Sequence, residues 1–264
     1  MPQRLSLDAP TLAGLLRLQG PSLGLWRAAE IAALRECQYA RPILDLGCGD
    51  GLVSAMVLDQ VEAGIDPDAD ALRKAAQTGL YASLENSCVE ESSLPEGYFA
   101  SIISNSVLEH IPDLLPVLLK ARQLLRPGGR LIFTVPTEQF SESLAFPFRS
   151  YSSWRNRRLR HFNLWPEPRW RDALETAGFR LVTIRPYLEK RLVFYWDLLE
   201  LLQQARLARR RLFGLAWRNL PPQVIHSLAL RMSRLDFSAP APGGGRLVIA
   251  QRTSWKSSVQ VIMS

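Results

Sequence analysis

The residues of this chain best suited to chemistry stand in one short stretch, ILDLGCGDG, Ile43 to Gly51. Ile43, Leu44 and Leu46 have the apolar character of a short buried strand, and Gly47, Gly49 and Gly51 follow at alternate positions. Glycines so placed permit positive φ and let a ligand approach the backbone without meeting a Cβ. The next residues, LVSAMVLDQ, suit a helix whose first amides face that turn. Val61 to Ile65 reads as a second strand ending in Asp66, nineteen positions after Gly47, and Asp68 to Ala76 as a helix. An acid at the tip of a second parallel strand can accept both hydroxyls of a ribose, so the expected ligand carries a nucleoside and an extended polar group.

Four segments in order, ILDLGCGDG, GIDPDADALRKA, LPEGYFASIISNSVLEHIPD and LLRPGGRLIFTVP, resemble the motifs of class I S-adenosylmethionine-dependent methyltransferases, especially the branch with quinone-pathway and other small-molecule enzymes. The resemblance is tight from about Arg41 to Pro136, looser through Phe179, and absent from the first forty residues and from Tyr187 to Gly243. It implies an α/β fold with a Rossmann-like doubly wound sheet, mostly parallel with an antiparallel last strand. It also implies S-adenosyl-L-methionine as cofactor and methyl transfer as activity. By the same resemblance Asp45, Gly47 and Gly49, with Cys48 between the glycines, hold the methionine end, and Asp66 binds the ribose hydroxyls with Pro67 beside the adenine. Glu90 stands where the family has an aspartate on the adenine amine, with Glu91 close enough to compete, and Asn105 offers a backbone carbonyl to the methionine ammonium. The chain departs from the family in having Phe99-Ala100 where Phe-Asp is frequent.

A nicotinamide dinucleotide also contains a ribose that an acid can hold, and its phosphates decide against it. A pyrophosphate needs a GxGxxG turn, whereas here the third glycine comes one position early and Asp45 and Asp50 add negative charge. Those carboxylates suit the ammonium and sulfonium of S-adenosylmethionine.

Methyl transfer from a sulfonium is an in-line displacement, so alignment of the acceptor and exclusion of water supply most of the rate. An oxygen or nitrogen acceptor can still need a base. His110, after Glu109, and His161, in RHFNLW, have a suitable pKa range. The competing readings are a structural histidine capping the turn before Pro112, and loop packing or substrate contact for His161. His226 has no supporting context. Some quinone-pathway relatives hold a divalent ion on such a Glu-His pair together with a glutamate three positions earlier. Ser106 takes that place here, and no metal is expected.

The elements that must position these residues follow from the pattern of the chain. Residues 1–40 read as an N-terminal helical cap broken at Gly20-Pro21, and residues 41–186 as the cofactor-binding core with alternating strands and helices. Within that core, residues 140–168 are arginine- and aromatic-rich with little periodicity and read as an acceptor loop. Pro168 to Gly178 returns to a helix and Phe179 to Ile184 to a strand. Residues 187–242 read as a basic amphipathic insertion or lid, and residues 243–264 as the last strand and tail.

Length and composition agree: 264 residues, 47 % apolar, can bury a substantial core. Three cysteines without metal-like spacing argue against a disulfide framework and suggest a cytoplasmic home. No signal-peptide pattern and no uncharged apolar run long enough to span a bilayer is visible. Charge is uneven: residues 1–148 carry 11 basic and 18 acidic side chains, residues 149–218 carry 16 and 6. An anionic acceptor, or an anionic surface that holds it, would complement the basic half.

In the insertion, Phe194, Leu198, Leu201, Ala205, Ala208, Leu212 and Leu215 fall on one stripe of a helix, with Arg206 and Arg209 to Arg211 crowding its later half. Such a helix suits a lipid-like acceptor or peripheral contact with the anionic inner face of a membrane, the alternative being a lid packed by its stripe. Nucleic acid is the weaker anionic partner, because no recognised nucleic-acid module appears. The expectation is a methyltransferase acting on a small-molecule or lipid-like acceptor. The rival from another class is a cofactor-binding regulatory or scaffold protein without turnover.

Overall fold

The structure is a computed structural model that describes residues 4–146, 148–205 and 212–253. In chain order its elements are α1 (Ala9–Arg35), β1 (Ile43–Leu46), α2 (Leu52–Val57), β2 (Val61–Ile65), α3 (Ala69–Gln77), β3 (Tyr81–Glu85), β4 (Phe99–Asn105), α4 (Leu114–Leu124), β5 (Leu125–Pro136), α5 (Arg149–Leu159), α6 (Glu167–Thr176), β6 (Phe179–Tyr187), α7 (Lys190–Gln204), α8 (Leu212–Arg218), α9 (Pro222–Met232) and β7 (Gly245–Arg252). They form two compact units, one from Met1–Cys37, Pro136–His161 and Pro186–Arg246, the other from Gln38–Val135, Phe162–Arg185 and Leu247–Ser264.

The second unit is built on a seven-stranded sheet in the order β3-β2-β1-β4-β5-β7-β6. The pairs β1–β2, β1–β4, β2–β3 and β4–β5 are parallel. β7 runs antiparallel. At its end Thr253 N donates to Gly178 O beside the start of β6 (3.1 Å), and the Gln251 amide donates to Gly128 O near the start of β5 (3.0 Å). This is the doubly wound arrangement expected from the sequence. β1 is buried at every position, which is why it reads as a near-continuous apolar run. The core gathers Leu44, Ile102, Phe133, Leu174 and Val248 around Trp170, whose ring lies 5.1 Å from Phe133 and 5.0 Å from Trp165. The strand order turns back between β1 and β4, and in such sheets a crevice opens at the carboxyl ends of those strands.

The first unit contains α1, α5, α7, α8 and α9. Asp8 caps α1 by accepting from Thr11 N (2.8 Å), and the helix kinks where Gly20 adopts φ 77°, at the Gly-Pro break legible in the sequence. Trp26 of α1 packs on Phe140 (5.6 Å) and on Trp196 of α7 (5.2 Å).

Two expectations for this unit need correction. Residues 140–168 are not one loop, since Arg149–Leu159 forms α5. That helix buries a single residue, Arg155, so it has no apolar stripe to reveal it in the sequence. The stripe beginning at Phe194 is also not a packed face of one long helix. α7 ends at Gln204 and α8 begins at Leu212, while Phe194 and Leu198 are exposed. The inward side of α7 is set instead by Trp196, on its aromatic neighbours, and by Asp197. Ala208, Arg206 and Arg209 to Arg211 lie outside the described residues.

Asp197 ties α5 to α7. Its carboxylate pairs with Arg155 Nε (2.7 Å) and accepts from Tyr151 Oη (2.6 Å) and Ala145 N (3.0 Å), with the Arg155 and Asp197 side chains fully buried. The Arg155 guanidinium also lies 5.0 Å from the Trp196 ring. Removing one partner of a buried pair strands the other charge away from water. Asp197→Ala should therefore cost about 3–5 kcal/mol in denaturant unfolding, whereas the exposed Asp70→Ala should stay within about 0.5 kcal/mol.

Candidate functional site

The carboxyl ends of β1 and β2 bring Asp45, Gly47, Cys48, Gly49 and Asp66 of the second unit together, and Asn105 ends the neighbouring strand β4. The glycine turn after β1 is pinned to β2: Gly47 N and Cys48 N both donate to Ile65 O, at 2.9 and 3.1 Å. One residue further on, Gly49 N donates to Asp66 Oδ2 (2.8 Å), and Asp68 N donates to Asp66 Oδ1 (2.9 Å). Both carboxylate oxygens of Asp66 are thus oriented by backbone amides, and each retains a lone pair for a further donor.

Gly47 and Gly49 serve different ends. Both have positive φ, 71° and 54°. A Cβ on Gly47 would come within 2.6 Å of Val107 side-chain carbons, so the strand-to-turn crossing closes over Val107 only with glycine. A Cβ on Gly49 would meet nothing within 4 Å, so that position faces open space where a ligand can lie on the backbone.

Asp45 lies beneath the turn, paired in register with Gly64 of β2 and Ile103 of β4. It is 2 % exposed, and Tyr81 Oη donates to its Oδ2 at 2.6 Å. Burial pushes the Asp45 carboxyl up to about 6, against the lowering effect of hydrogen bonds from Ser54 and Tyr81 and with a further upward push from Asp66. The Tyr81 ring occupies the space that a Cβ on Gly51 or on Gly64 would need, 2.9 Å away in each case. Tyr81 and Ser54 were not singled out from the sequence. The signal available was Gly64, an isolated glycine inside a strand, which marks a close approach. Burial, with Asp45 and Asp66 nearby, pushes the Cys48 thiol far up, so it serves as packing and not as a nucleophile.

Pro67, Glu90 and Glu91 are exposed, the two glutamates on a short 3-10 turn, Val89–Glu91. Asn105 ends β4, its Oδ1 accepting from Thr134 Oγ1 of β5 (2.7 Å), and Ser106 follows with φ 50° and its N donating to Thr134 O (3.1 Å). His110 is exposed on the 3-10 turn Leu108–His110, with Nε2 3.7 Å from Oε1 of the buried Glu109. That turn is held by Asn163, another residue the sequence reading passed over. Its buried amide donates to Leu108 O (2.8 Å) and Ile111 O (2.7 Å). His161 belongs to the first unit, where its ring meets Phe140 edge-on at 5.1 Å. His226 is exposed on α9.

The donor set tests the two adenosine ligands. Asp50 Oδ1 accepts from Leu52 N (3.1 Å) at the start of α2, where a dinucleotide pyrophosphate would need that amide. With Asp45 and Asp66 the turn carries three carboxylates, which fit a cation and not a diphosphate.

Residues 24–184 match the family model described as a methyltransferase domain, more than half of the chain, and the chain belongs to that family. An uncharacterized methyltransferase of Mycobacterium tuberculosis is 33 % identical over 93 residues, 34 % of this chain and 47 % of the relative. The ubiquinone biosynthesis O-methyltransferase of Cronobacter sakazakii is 28 % identical over 103 residues, 36 % of this chain and 42 % of that protein. The chain thus spans somewhat less than half the length of these curated relatives. Among solved structures, a SAM-dependent methyltransferase from Thermotoga maritima shares the fold with a TM-score of 0.59 at 12 % identity, over 92 % of this chain and all of that one. A phosphoethanolamine N-methyltransferase from Haemonchus contortus, solved with S-adenosyl-L-methionine, gives 0.55 at 13 % identity, over 92 % of this chain and 60 % of that one.

Asp45 yields a pH test with a definite sign. Its folded pKa is raised, so its contribution to stability is fully present below about 4 and is lost as pH rises to about 6. The stability of the wild type relative to Asp45→Asn should fall by about 3 kcal/mol across that window. Tyr81→Phe keeps the ring and removes a hydrogen bond that lowers the pKa, so its window should extend to higher pH, as read by denaturant unfolding over a pH series.

Proposed function

We propose that the protein transfers a methyl group from S-adenosylmethionine to a small-molecule or lipid-like, anionic acceptor by in-line displacement. The observation that carries this reading is the glycine turn locked to Asp66, with Gly49 N on the Asp66 carboxylate and open space on the other side of Gly49. The family membership supports it.

In this reading Asp66 accepts the two ribose hydroxyls on the lone pairs left free by Gly49 N and Asp68 N. Pro67 lies against the adenine, and Glu90, with Glu91 as competitor, accepts from its exocyclic amine. Asp45, Gly47, Cys48 and Gly49 form the seat for the methionine end, and the Asn105 carbonyl accepts from its ammonium. When bound, S-adenosylmethionine would supply a sulfonium methyl as the electrophile. The protein's part is to align the acceptor with that methyl and to keep water out. His110, exposed beside buried Glu109, is the base for an acceptor that must lose a proton, with His161 the second candidate. The excess of 16 basic over 6 acidic side chains in residues 149–218 supports the anionic character of the acceptor.

The test is formation of S-adenosylhomocysteine from S-adenosylmethionine with an acceptor panel weighted toward anionic lipids and quinone-like phenols. At least one acceptor should turn over, and Asp66→Ala should lower cofactor affinity and turnover together by about tenfold or more, the weight of a charge-assisted hydrogen bond. An Asp66→Ala protein with unchanged affinity would contradict the assignment. Tight cofactor binding without turnover of any acceptor would favour a regulatory or scaffold role.

A further inference from the structure

α7 carries much of its apolar surface on the side away from the core. Its buried residues are Leu192, Val193, Trp196 and Asp197, whereas Phe194, Tyr195, Leu198 and Leu202 are 40, 53, 38 and 42 % exposed. On an α-helix these four fall within one arc of about 100°, which Arg191 and Ala205, both exposed, share. The acids of the helix point elsewhere. Asp197 is buried on Arg155, and Glu200 accepts from Ser22 and Gln204. Glu189, at the N-cap position of α7, pairs with Arg191 (2.6 Å), and the rest of this contiguous exposed apolar face has no acidic residue, which marks a contact surface.

We propose that this face of α7 docks on the surface of an anionic lipid bilayer. The charge of the unit that carries α7 selects that occupant, since its segments 1–37, 136–161 and 186–246 hold 19 basic and 9 acidic side chains. α5, joined to α7 through Asp197, has four arginines and no acidic residue, and exposes Arg149, Arg157 and Arg158 together with Phe148 and Trp154. Apolar and aromatic side chains among cations match the interface of headgroups and acyl chains. A second copy of the chain would set the same cations against themselves across a two-fold axis, which disfavours self-association. Half of the face is aliphatic, Leu198 and Leu202, which suits acyl chains better than bases that stack on aromatics. No helix among the described residues is long and apolar enough to cross a membrane, so the contact is with the bilayer surface. This inference is independent of the methyl-transfer reading, because vesicle binding requires no turnover.

The test is co-sedimentation of the full chain with vesicles of phosphatidylcholine alone and of phosphatidylcholine mixed with phosphatidylglycerol. Binding is expected to the mixed vesicles only, and to weaken between about 0.1 and 1 M salt as the screening length falls from about 10 to 3 Å. Phe194→Ser combined with Leu198→Ser should reduce it about tenfold with the unfolding curve retained, since both residues are exposed. Arg157→Glu with Arg158→Glu should reduce it through charge alone. Equal binding to both vesicle types, no binding, or binding that neither variant lowers would overturn the proposal. So would a concentration-dependent dimer in sedimentation velocity that the serine variant abolishes.

Discussion

The hydrogen bonds from Gly47 N and Cys48 N to Ile65 O are the constraint on which the candidate site depends. They fix the turn after one parallel strand to the last residue of its neighbour, so that the next amide, Gly49 N, reaches the Asp66 carboxylate. The price is a turn that closes over Val107 only with glycine at position 47, and a buried carboxylate. The turn needs positive φ at Gly47 and Gly49, and Asp45 sits almost without solvent below it. Tyr81 answers the second cost by threading its ring past Gly51 and Gly64 to put a hydroxyl on Asp45. Gly47, Gly49, Gly51, Gly64, Tyr81, Asp45 and Asp66 are therefore one assembly, not separate motif positions.

The same assembly selects the charge of its ligand. Three carboxylates surround the turn, and Asp50 occupies a helix amide that a diphosphate would otherwise claim. Burial raises the Asp45 carboxyl to about 6, while hydrogen bonds from Tyr81 and Ser54 oppose that rise. A cationic group brought near this turn would tip that balance toward the carboxylate, so the site is suited to a ligand that carries positive charge.

Much of the second unit was legible in the sequence, and the reason is physical. β1, β2 and β4 are short runs closed by Asp66 and by the glycine turn, and a parallel sheet covered on both faces leaves such runs as its trace. The last strand, Gly245–Arg252, was equally readable, since Val248 and Ala250 enter the same core. The first unit was less legible. α5 buries an arginine and has no apolar period, and the inner face of α7 is chosen by Trp196 and by an ion pair with Arg155, a partner distant in sequence. In the site, Asp45, Asp66 and the glycines announced themselves by type and spacing. Tyr81 and Asn163 did not, because their roles come from long-range hydrogen bonds that no local pattern encodes.

The most direct measurement of the central claim is calorimetric titration of the purified chain with S-adenosylmethionine, S-adenosylhomocysteine and NAD, repeated on Asp66→Ala. Micromolar binding of the first two is expected, weakened about tenfold or more in the variant, with no comparable binding of NAD. Absence of binding to either adenosyl ligand, or preference for NAD, would contradict the claim and leave the turn and its carboxylates without the ligand assigned to them.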